Sequence, residues 1–263
     1  MALTWDSTRT DTISFDEFVE YFKKQGSNPV SSNLEGAVDM MQRLYNNREF
    51  LAQAIVDQQL KKIANEYTSE VLILHRSEHF LVRAVVWLPV NEKENSELNH
   101  FEDIHDHNFN FITVGYLGDG YESNLWEYDI DDVVGEVGEN VDFSFIERTK
   151  LKPQRVMYLR KGVDVHQQIP PSEMSVSVNV LELNKKNENQ YFFDIDSIDK
   201  PNAKIAQNIN PPLASTLSKM MGQIGKSEIV LDKLSNLSFP EKSAQEKIRQ
   251  EAINESRKFS VIH

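Results

Sequence analysis

The 263-residue sequence contains no cysteine. This absence excludes disulfides, iron–sulfur clusters, zinc–thiolate sites and a catalytic thiol. Any bound metal ion must therefore be held by nitrogen or oxygen ligands. The sequence also lacks an apolar run approaching the roughly 20 residues of a membrane span, and its N-terminus lacks the basic and apolar regions of a secretory leader. These features predict a cytoplasmic protein with no membrane partner.

Positive charge is scarce. The chain has 28 Lys and Arg residues against 41 Asp and Glu residues, which gives a net charge of −13. Such a field repels a phosphate backbone, and no basic stripe reverses it locally, so we expect no nucleic-acid partner. Apolar residues make up 40% of the sequence and charged residues 26%, a composition typical of soluble globular proteins.

The first 65 residues are predicted to be helical. Ser14 and Glu17 form the S-x-x-E pattern of a helix start. Apolar residues then recur at helical spacing from Phe15 to Phe22, and Gly26 can end the helix. Two further helices are expected over 34–46 and 49–64, where the apolar spacing is less regular.

Residues 66–200 contain short β-prone runs separated by turn residues, with a predicted hairpin around residues 76–79. No helical pattern intervenes, so we predict a mainly β domain, an antiparallel sandwich or jelly roll. Residues 201–263 form the third segment. From Pro211 onward its pattern becomes amphipathic and helical, which suits docking or formation of a homodimer.

Three histidines are the candidate metal ligands. His105 and His107 lie two residues apart in the β-prone run "IHDHNFNFITVGYLGDGY", so strand alternation places both on one face. His166, in "RKGVDVHQQIPP", precedes another β-prone run and can join them across a jelly roll. A lone interior histidine is more often a hydrogen-bonded core residue than a ligand. A pair with a third partner favours metal binding, since imidazole is the commonest side-chain ligand.

A site with two histidines and one carboxylate is an alternative. The acidic residues near the pair in sequence are Asp103, Asp106, Glu122 and Glu127. Alternation directs Asp106 away from the histidines.

The segment "HDHNFNFITVGYLGDG" resembles the first motif of the cupin superfamily, and "KGVDVHQQ" resembles an altered second motif. Cupins usually place a glutamate after the His-x-His pair, where this chain has Asn110, Phe111 and Ile112. The resemblance covers roughly residues 66–195. It implies a cupin jelly-roll barrel, an antiparallel double-stranded β-helix, with a three-histidine metal site.

A three-histidine cupin is most similar to the cysteine dioxygenase type, which shares "IHDH" (104–107) and an apolar strand ending near a tryptophan, here Trp87. The substrate-binding arginine of that type has no counterpart at residues 70–72, which leaves Arg76 and Arg83 as the nearby candidates. Its Ser, His, Tyr series is replaced by Ser175, Ser177 and Asn179. Cysteine is therefore not the expected substrate.

The expected function is that of a mononuclear non-haem oxygenase that holds Fe(2+) and acts with O2 on a small amino-acid-like or chelating metabolite. Zn or Mn with isomerase or hydrolase chemistry is an alternative. A second alternative is a non-catalytic metal- or ligand-binding module with a regulatory or docking role. Candidate neighbours of the metal ligands are Asn108, Asn110, Gln168, Ser177 and Asn179, and candidate substrate-binding residues are Arg83, Phe109 and Phe111.

Overall fold

The computed structural model describes residues 3–61, 71–89, 103–183 and 189–209. Within these ranges the chain is mainly β, with thirteen strands in antiparallel sheets and three α-helices. The predicted mainly β, antiparallel fold is confirmed. The helices are α1 (Phe15–Lys24), α2 (Leu34–Asn46) and α3 (Phe50–Lys61). The strands are β1 (Leu3–Trp5), β2 (Val71–Arg76), β3 (Phe80–Trp87), β4 (Ile104–His105), β5 (Phe111–Leu117), β6 (Glu122–Glu127), β7 (Asn140–Asp142), β8 (Ser144–Lys150), β9 (Val156–Leu159), β10 (Asp164–Ile169), β11 (Ser175–Glu182), β12 (Tyr191–Asp194) and β13 (Asn202–Asn208).

The described residues form two compact units. The first comprises those between Met1 and Trp126 and between Ile146 and Asn184, and the second those between Glu127 and Phe145 and after Lys185. The first unit contains a six-stranded sheet with the order β1-β9-β5-β11-β3-β2, and a row of four strands with the order β4-β10-β6-β8. Successive strands from β3 to β6 and from β8 to β11 alternate between the two, which is the arrangement of a jelly roll.

The N-terminal helices cover one face of the six-stranded sheet. Helix α1 begins with the predicted capping box, in which the Glu17 amide donates to the Ser14 hydroxyl and the Ser14 amide donates to the Glu17 carboxylate. Its buried residues Phe18, Val19 and Phe22 pack with every second residue of the central strands. The residues that the sheet contributes to this core include Val82, Ala84, Ile112, Val114, Val176, Val178 and Val180.

The opposite face of this sheet looks into the interior of the first unit. Leu81, Val85, Phe111 and Leu181 lie there and pack with Tyr121, Leu125 and Leu151. Tyr121 immediately precedes β6, Leu125 belongs to β6, and Leu151 follows β8. The central strands β9, β5 and β11 of the six-stranded sheet are thus buried on both faces. This explains why all eight residues of β11 are buried.

The second unit contains the three strands β7, β13 and β12, which pair antiparallel in that order. Its core includes an aromatic group in which the rings of Tyr128, Phe143 and Phe193 lie within 6.1 Å of one another. Strand β13 occupies residues after position 200. The helices predicted from Pro211 onward lie outside the described residues.

None of the helices in the described ranges combines the length and the apolar character that crossing a bilayer requires.

Candidate metal centre

Three histidines converge in the interior of the first unit. His105 ends β4 and pairs directly with His166 of β10, while His107 follows β4 two residues later. The Nε2 atom of His166 lies 3.1 Å from the Nε2 atoms of both His105 and His107. All three side chains are buried, His166 with 1% exposure. The histidines that strand alternation and topology predicted together do form one cluster.

This spacing suits a single metal ion. Imidazole nitrogens bind zinc at about 2.0–2.1 Å. Two such ligands at roughly 90–110° to each other stand about 3.0–3.4 Å apart, which matches the observed 3.1 Å. Among the residues that the structure describes, no carboxylate joins the three imidazoles. The donor set is therefore three nitrogens, and the alternative with one carboxylate has no support in the described ranges.

The backbone sets the orientation of the His105 ring. Its Nδ1 atom lies 3.1 Å from the carbonyl oxygen of Asp103. A carbonyl oxygen only accepts hydrogen bonds, so Nδ1 carries the proton in the neutral ring. The lone pair of Nε2 then faces the other two histidines, as a metal ligand requires.

Burial keeps two of the imidazoles, those of His107 and His166, neutral. It lowers the pKa of His107 well below 6.5, and the nearby His105, His166 and Arg83 lower it further. Burial followed by the neighbouring His105 likewise lowers the pKa of His166 well below 6.5. A metal ion binds deprotonated imidazole nitrogen, so these rings are already in the binding form at neutral pH.

The cluster forms part of the wall of a cavity of about 160 Å³. The volume is smaller than the roughly 300–1,000 Å³ of pockets for drug-sized ligands, so it suits a small metabolite. The lining residues other than the histidines are Val71, Arg83, Val85, Trp87, Phe111, Tyr121, Gln168 and Asn179. All of them belong to the first unit.

A row of polar residues crosses the cavity face of the six-stranded sheet. Asn179 of β11 lies directly opposite Arg83 of β3 on one side and opposite Thr113 of β5 on the other. Such cross-strand neighbours have Cβ atoms about 4.5–5.5 Å apart. Thr113 donates a hydrogen bond to the Asn179 side-chain oxygen. The preceding row, Leu81, Leu181 and Phe111, is apolar, so the polar row marks one level of the cavity.

Tyr121 reaches the same cavity from the start of β6. It is 3% exposed, and its hydroxyl is hydrogen-bonded to the side chains of Gln168 and Thr113. Burial raises its pKa to about 12, although Gln168, Thr113 and Arg83 act in the other direction. The preceding turn needs glycine at position 120, where φ is +84° and a Cβ atom would lie 1.9 Å from the Leu151 carbonyl oxygen.

A buried carboxylate holds the loops that carry the histidines. Glu182 accepts hydrogen bonds from the amides of Val30 and Ser31 at 2.9 and 2.7 Å, and from the Asn110 side chain at 2.8 Å. The Asn110 side-chain oxygen accepts the Lys161 amide at 2.9 Å. In the same turn before β10, the Gly162 amide donates to the His107 carbonyl at 2.9 Å.

The candidate neighbours from the sequence divide into two groups. Gln168 and Asn179 line the cavity. Ser177 accepts the indole N–H of Trp87 at 3.0 Å and so holds a lining residue in place. Asn108 does not line the cavity, and Asn110 serves the Glu182 network instead.

The three candidate substrate-binding residues also divide. Arg83 and Phe111 line the cavity. Phe109 does not, although its ring lies 4.8 Å from that of His107. Since Phe109 follows the short strand β4 before β5 begins, strand alternation does not apply to it.

Sequence reasoning missed Tyr121 and Thr113. The aromatic hairpin around Gly118–Gly120 is typical of packing, and Tyr121 does stack on Trp87 with ring centroids 4.1 Å apart. Thr113 had a usable signal, because it lies two residues after Phe111 on the same face of β5.

No protein-family model matches the chain, and no curated protein matches it significantly. Solved structures resemble parts of it. Hydroquinone 1,2-dioxygenase from Sphingomonas sp. TTNP3, with 4-hydroxybenzoate bound, is 9% identical with a TM-score of 0.31, over 46% of this chain and 70% of that one. The DMSP lyase DddQ from Ruegeria pomeroyi DSS-3 is 8% identical with a TM-score of 0.29, over 48% and 54%. A cupin domain from Bordetella pertussis Tohama I is 14% identical with a TM-score of 0.24, over 46% and 100%.

Proposed function

We propose that the protein is a mononuclear non-haem metal oxygenase that holds Fe(2+) with His105, His107 and His166. Its substrates would be O2 and a small chelating or amino-acid-like anion. The observation that carries this proposal is the set of three buried imidazoles at the wall of a small cavity, in which the His166 Nε2 atom lies 3.1 Å from the Nε2 atoms of His105 and His107. A bound ferrous ion supplies the one-electron and O2 chemistry that protein side chains lack.

The residues around the histidines have separate tasks in this proposal. Asp103 orients His105 through its carbonyl oxygen. Arg83 lines the cavity and would bind the anionic group of the substrate, since a guanidinium matches carboxylate geometry. Val85, Trp87 and Phe111 form apolar wall that excludes water from the centre.

The first experiment measures metal binding. The purified protein is analysed for metal content, then loaded anaerobically with Fe(2+) and treated with nitric oxide. We expect one iron per chain and the electron paramagnetic resonance signal of a ferrous nitrosyl adduct, which reports an open coordination position. Absence of metal binding would refute the proposal. A tightly bound zinc ion with no nitrosyl adduct would favour isomerase or hydrolase chemistry instead.

The second experiment measures Fe(2+)-dependent oxygen consumption with a panel of amino acids, hydroxy acids and thiols. Arg83→Gln tests the anion site, and we expect a raised KM for anionic substrates with metal content unchanged. Arg76→Gln is the matched control, because Arg76 ends β2 at the exposed hairpin turn. Equal effects of the two substitutions would remove Arg83 from the site.

A further inference from the structure

The residues that line the cavity follow one another along the strands of the six-stranded sheet. Phe111 marks the metal end, because its ring centroid lies 4.8 Å from that of His107. In the sheet register, Arg83 belongs to the next row of cross-strand neighbours, Val85 to the row after it and Trp87 to the fourth. Successive rows are two residues and therefore about 6.7 Å apart along the strands. The cavity thus continues past its arginine, away from the metal end.

The part of the cavity beyond Arg83 is apolar. Val71 of β2 lies directly opposite Val85 of β3 in the register, and both side chains line the cavity. Trp87 adds aromatic carbon to the wall, since its indole N–H donates to the Ser177 hydroxyl at 3.0 Å. Each of the three lining residues is at most 7% exposed. An apolar group of a ligand would therefore gain binding energy there through its removal from water.

The chain closes this apolar part on the side of β5. In the row of Val85, the next residues across the sheet are Ser177 of β11 and Gly115 of β5. A Cβ atom at position 115 would lie 2.4 Å from the Lys152 carbonyl oxygen and 2.7 Å from that of Leu151. The segment after β8 therefore covers Gly115, and the apolar part of the cavity lies over β2 and β3.

Arg83 supplies positive charge to the cavity wall. Apart from the histidines, it is the one charged side chain among the lining residues that the structure describes. A single carboxylate group matches its guanidinium. A second carboxylate further along the cavity would be buried against Val71 and Val85, whose side chains offer no hydrogen bond to replace its lost hydration.

We infer that Val71, Val85 and Trp87 form a specificity-determining tail pocket, through which the cavity selects chelating monocarboxylates with a short apolar tail. Acids without a tail and acids with a second carboxylate on the tail bind more weakly. The inference rests on the proposed function in one respect, that the cavity is the substrate site. Arg83 binds the carboxylate, and the tail pocket holds the apolar group.

The test uses 2-hydroxy acids that differ only in their tails, namely glycolate, lactate, 2-hydroxybutanoate and 2-hydroxypentanoate. Dissociation constants are measured by calorimetry on the full-length protein loaded with Co(2+). The four acids chelate the metal through the same two groups, so chelation cancels from the ratio between neighbours in the series. From glycolate to 2-hydroxybutanoate we expect the affinity to rise about fourfold per added carbon.

A fifth acid tests the charge of the tail. 2-Hydroxyglutarate has the five carbons of 2-hydroxypentanoate and a second carboxylate at the end of its tail. We expect it to bind at least about tenfold more weakly than 2-hydroxypentanoate, because the second carboxylate loses its hydration in the tail pocket.

Val85→Thr keeps the shape of the side chain and places a hydroxyl group in the tail pocket. We expect the rise in affinity per carbon to fall from about fourfold to less than about twofold. Glycolate has no tail and should bind as it does to the wild type. Val71→Thr changes the opposite residue in the same way, and it carries the test if Val85→Thr does not fold.

Val86→Thr is the matched control, because Val86 is the next residue of β3 and packs against the core under the helices. Three results would each overturn the inference. They are an equal loss in Val86→Thr, a wild-type affinity that does not rise from glycolate to 2-hydroxybutanoate, and 2-hydroxyglutarate binding as tightly as 2-hydroxypentanoate.

Failure of the proposed function is distinguishable, since it shows as a wild type that binds no metal. The same acids are then titrated against the metal-free chain, in which Arg83 and the tail pocket are still present. The rise in affinity with tail length is expected there too, and its absence would overturn the inference.

Discussion

The two faces of the six-stranded sheet are equally buried but chemically different. In β11, Val176, Val178 and Val180 pack under the N-terminal helices, while Ser175, Ser177 and Asn179 alternate with them on the opposite face. Every one of these residues is at most 7% exposed. Burial alone therefore does not separate the structural face from the functional one. The separation lies in polarity, because a buried polar group must find a partner. Ser177 pairs with Trp87 of the cavity wall, Asn179 with Thr113, and Ser175 with the Gly120 amide.

The largest effect on the cavity face is expected from removal of one of its histidines. His166→Ala should reduce affinity for Co(2+) or Zn(2+) by more than about 100-fold. Loss of a residue that only hydrogen-bonds to a metal ligand already lowers metal affinity by about 10–100-fold, and His166 is proposed to be a ligand itself. Metal titration against a competing chelator measures the effect. His79→Ala is the control, because His79 lies at the exposed hairpin turn between β2 and β3. Equal affinity of the His166→Ala protein and the wild type would contradict the proposed site.

Ile112→Ala tests the helix-covered face of the sheet. Ile112 follows Phe111 in β5, and its side chain lies on the face opposite to the cavity. Ile112 is fully buried in the core under the helices. Its truncation should lower the free energy of unfolding by roughly 2–5 kcal/mol, because it leaves a cavity in a packed core. Urea unfolding measures this change. Metal affinity of the folded protein should stay within about twofold, and a large loss would mean that the two faces are not independent.

Low pH should destabilise the metal-free protein through the histidines that line the cavity. In the metal-free folded protein the pKa values of His107 and His166 lie well below 6.5, so below pH 6.5 the unfolded chain binds protons first. The free energy of unfolding should therefore fall as the pH decreases, with a slope for each of the two histidines that is about 0.7 kcal/mol per pH unit at pH 6.5 and approaches about 1.4 kcal/mol per pH unit below it. The decrease ends where the folded-state pKa values are reached.

Urea unfolding between pH 7.5 and 5.5 with a chelator present measures this slope. His166→Gln removes one of the two groups, so between pH 7.5 and 5.5 its free energy of unfolding should fall by about 1.4 kcal/mol less in total than that of the wild type. Identical slopes for the variant and the wild type would show that His166 accepts protons in the folded protein as readily as in the unfolded chain.

The smallest expected effect concerns the cap of α1. Ser14→Ala removes the hydroxyl that accepts the Glu17 amide and should cost about 1 kcal/mol of stability. Thermal unfolding measures it, with Ser32→Ala as a control on an exposed serine. Metal affinity should not change, because α1 packs only on the helix-covered face among the contacts described here.

Local signals predicted much of this structure. The capping box and apolar spacing located α1, because both patterns depend on residues a few positions apart. His105 and His107 do lie together as predicted, although β4 ends at His105 and strand alternation does not extend to His107. The prediction that His166 joins the other two histidines depended on the expectation that strands distant in sequence are neighbours in a jelly roll. Beyond that, sequence reasoning named four further residues that line the cavity, Arg83, Phe111, Gln168 and Asn179, and it missed Tyr121 and Thr113.

The row of polar residues on the cavity face shows why part of the site could not be predicted. Arg83, Thr113 and Asn179 share one level only because β11 pairs with β3 and β5 in a particular register. That register joins residues 96 and 66 positions apart, and no local pattern encodes it. Asn110 shows the converse. Nearness in sequence to His107 favoured a place beside the metal, yet its side chain binds Glu182 and the Lys161 amide.

The buried Glu182 has a consequence for how the protein opens. Its two oxygens connect Val30 and Ser31, which lie between α1 and α2, with Asn110, and through Asn110 with the turn that supports His107. Separating the helices from the sheet would leave this carboxylate unpaired, so the helical segment and the ligand loops should unfold as one cooperative unit. Metal binding should accordingly slow hydrogen exchange at the amides of residues 30 and 31, although neither residue is a ligand.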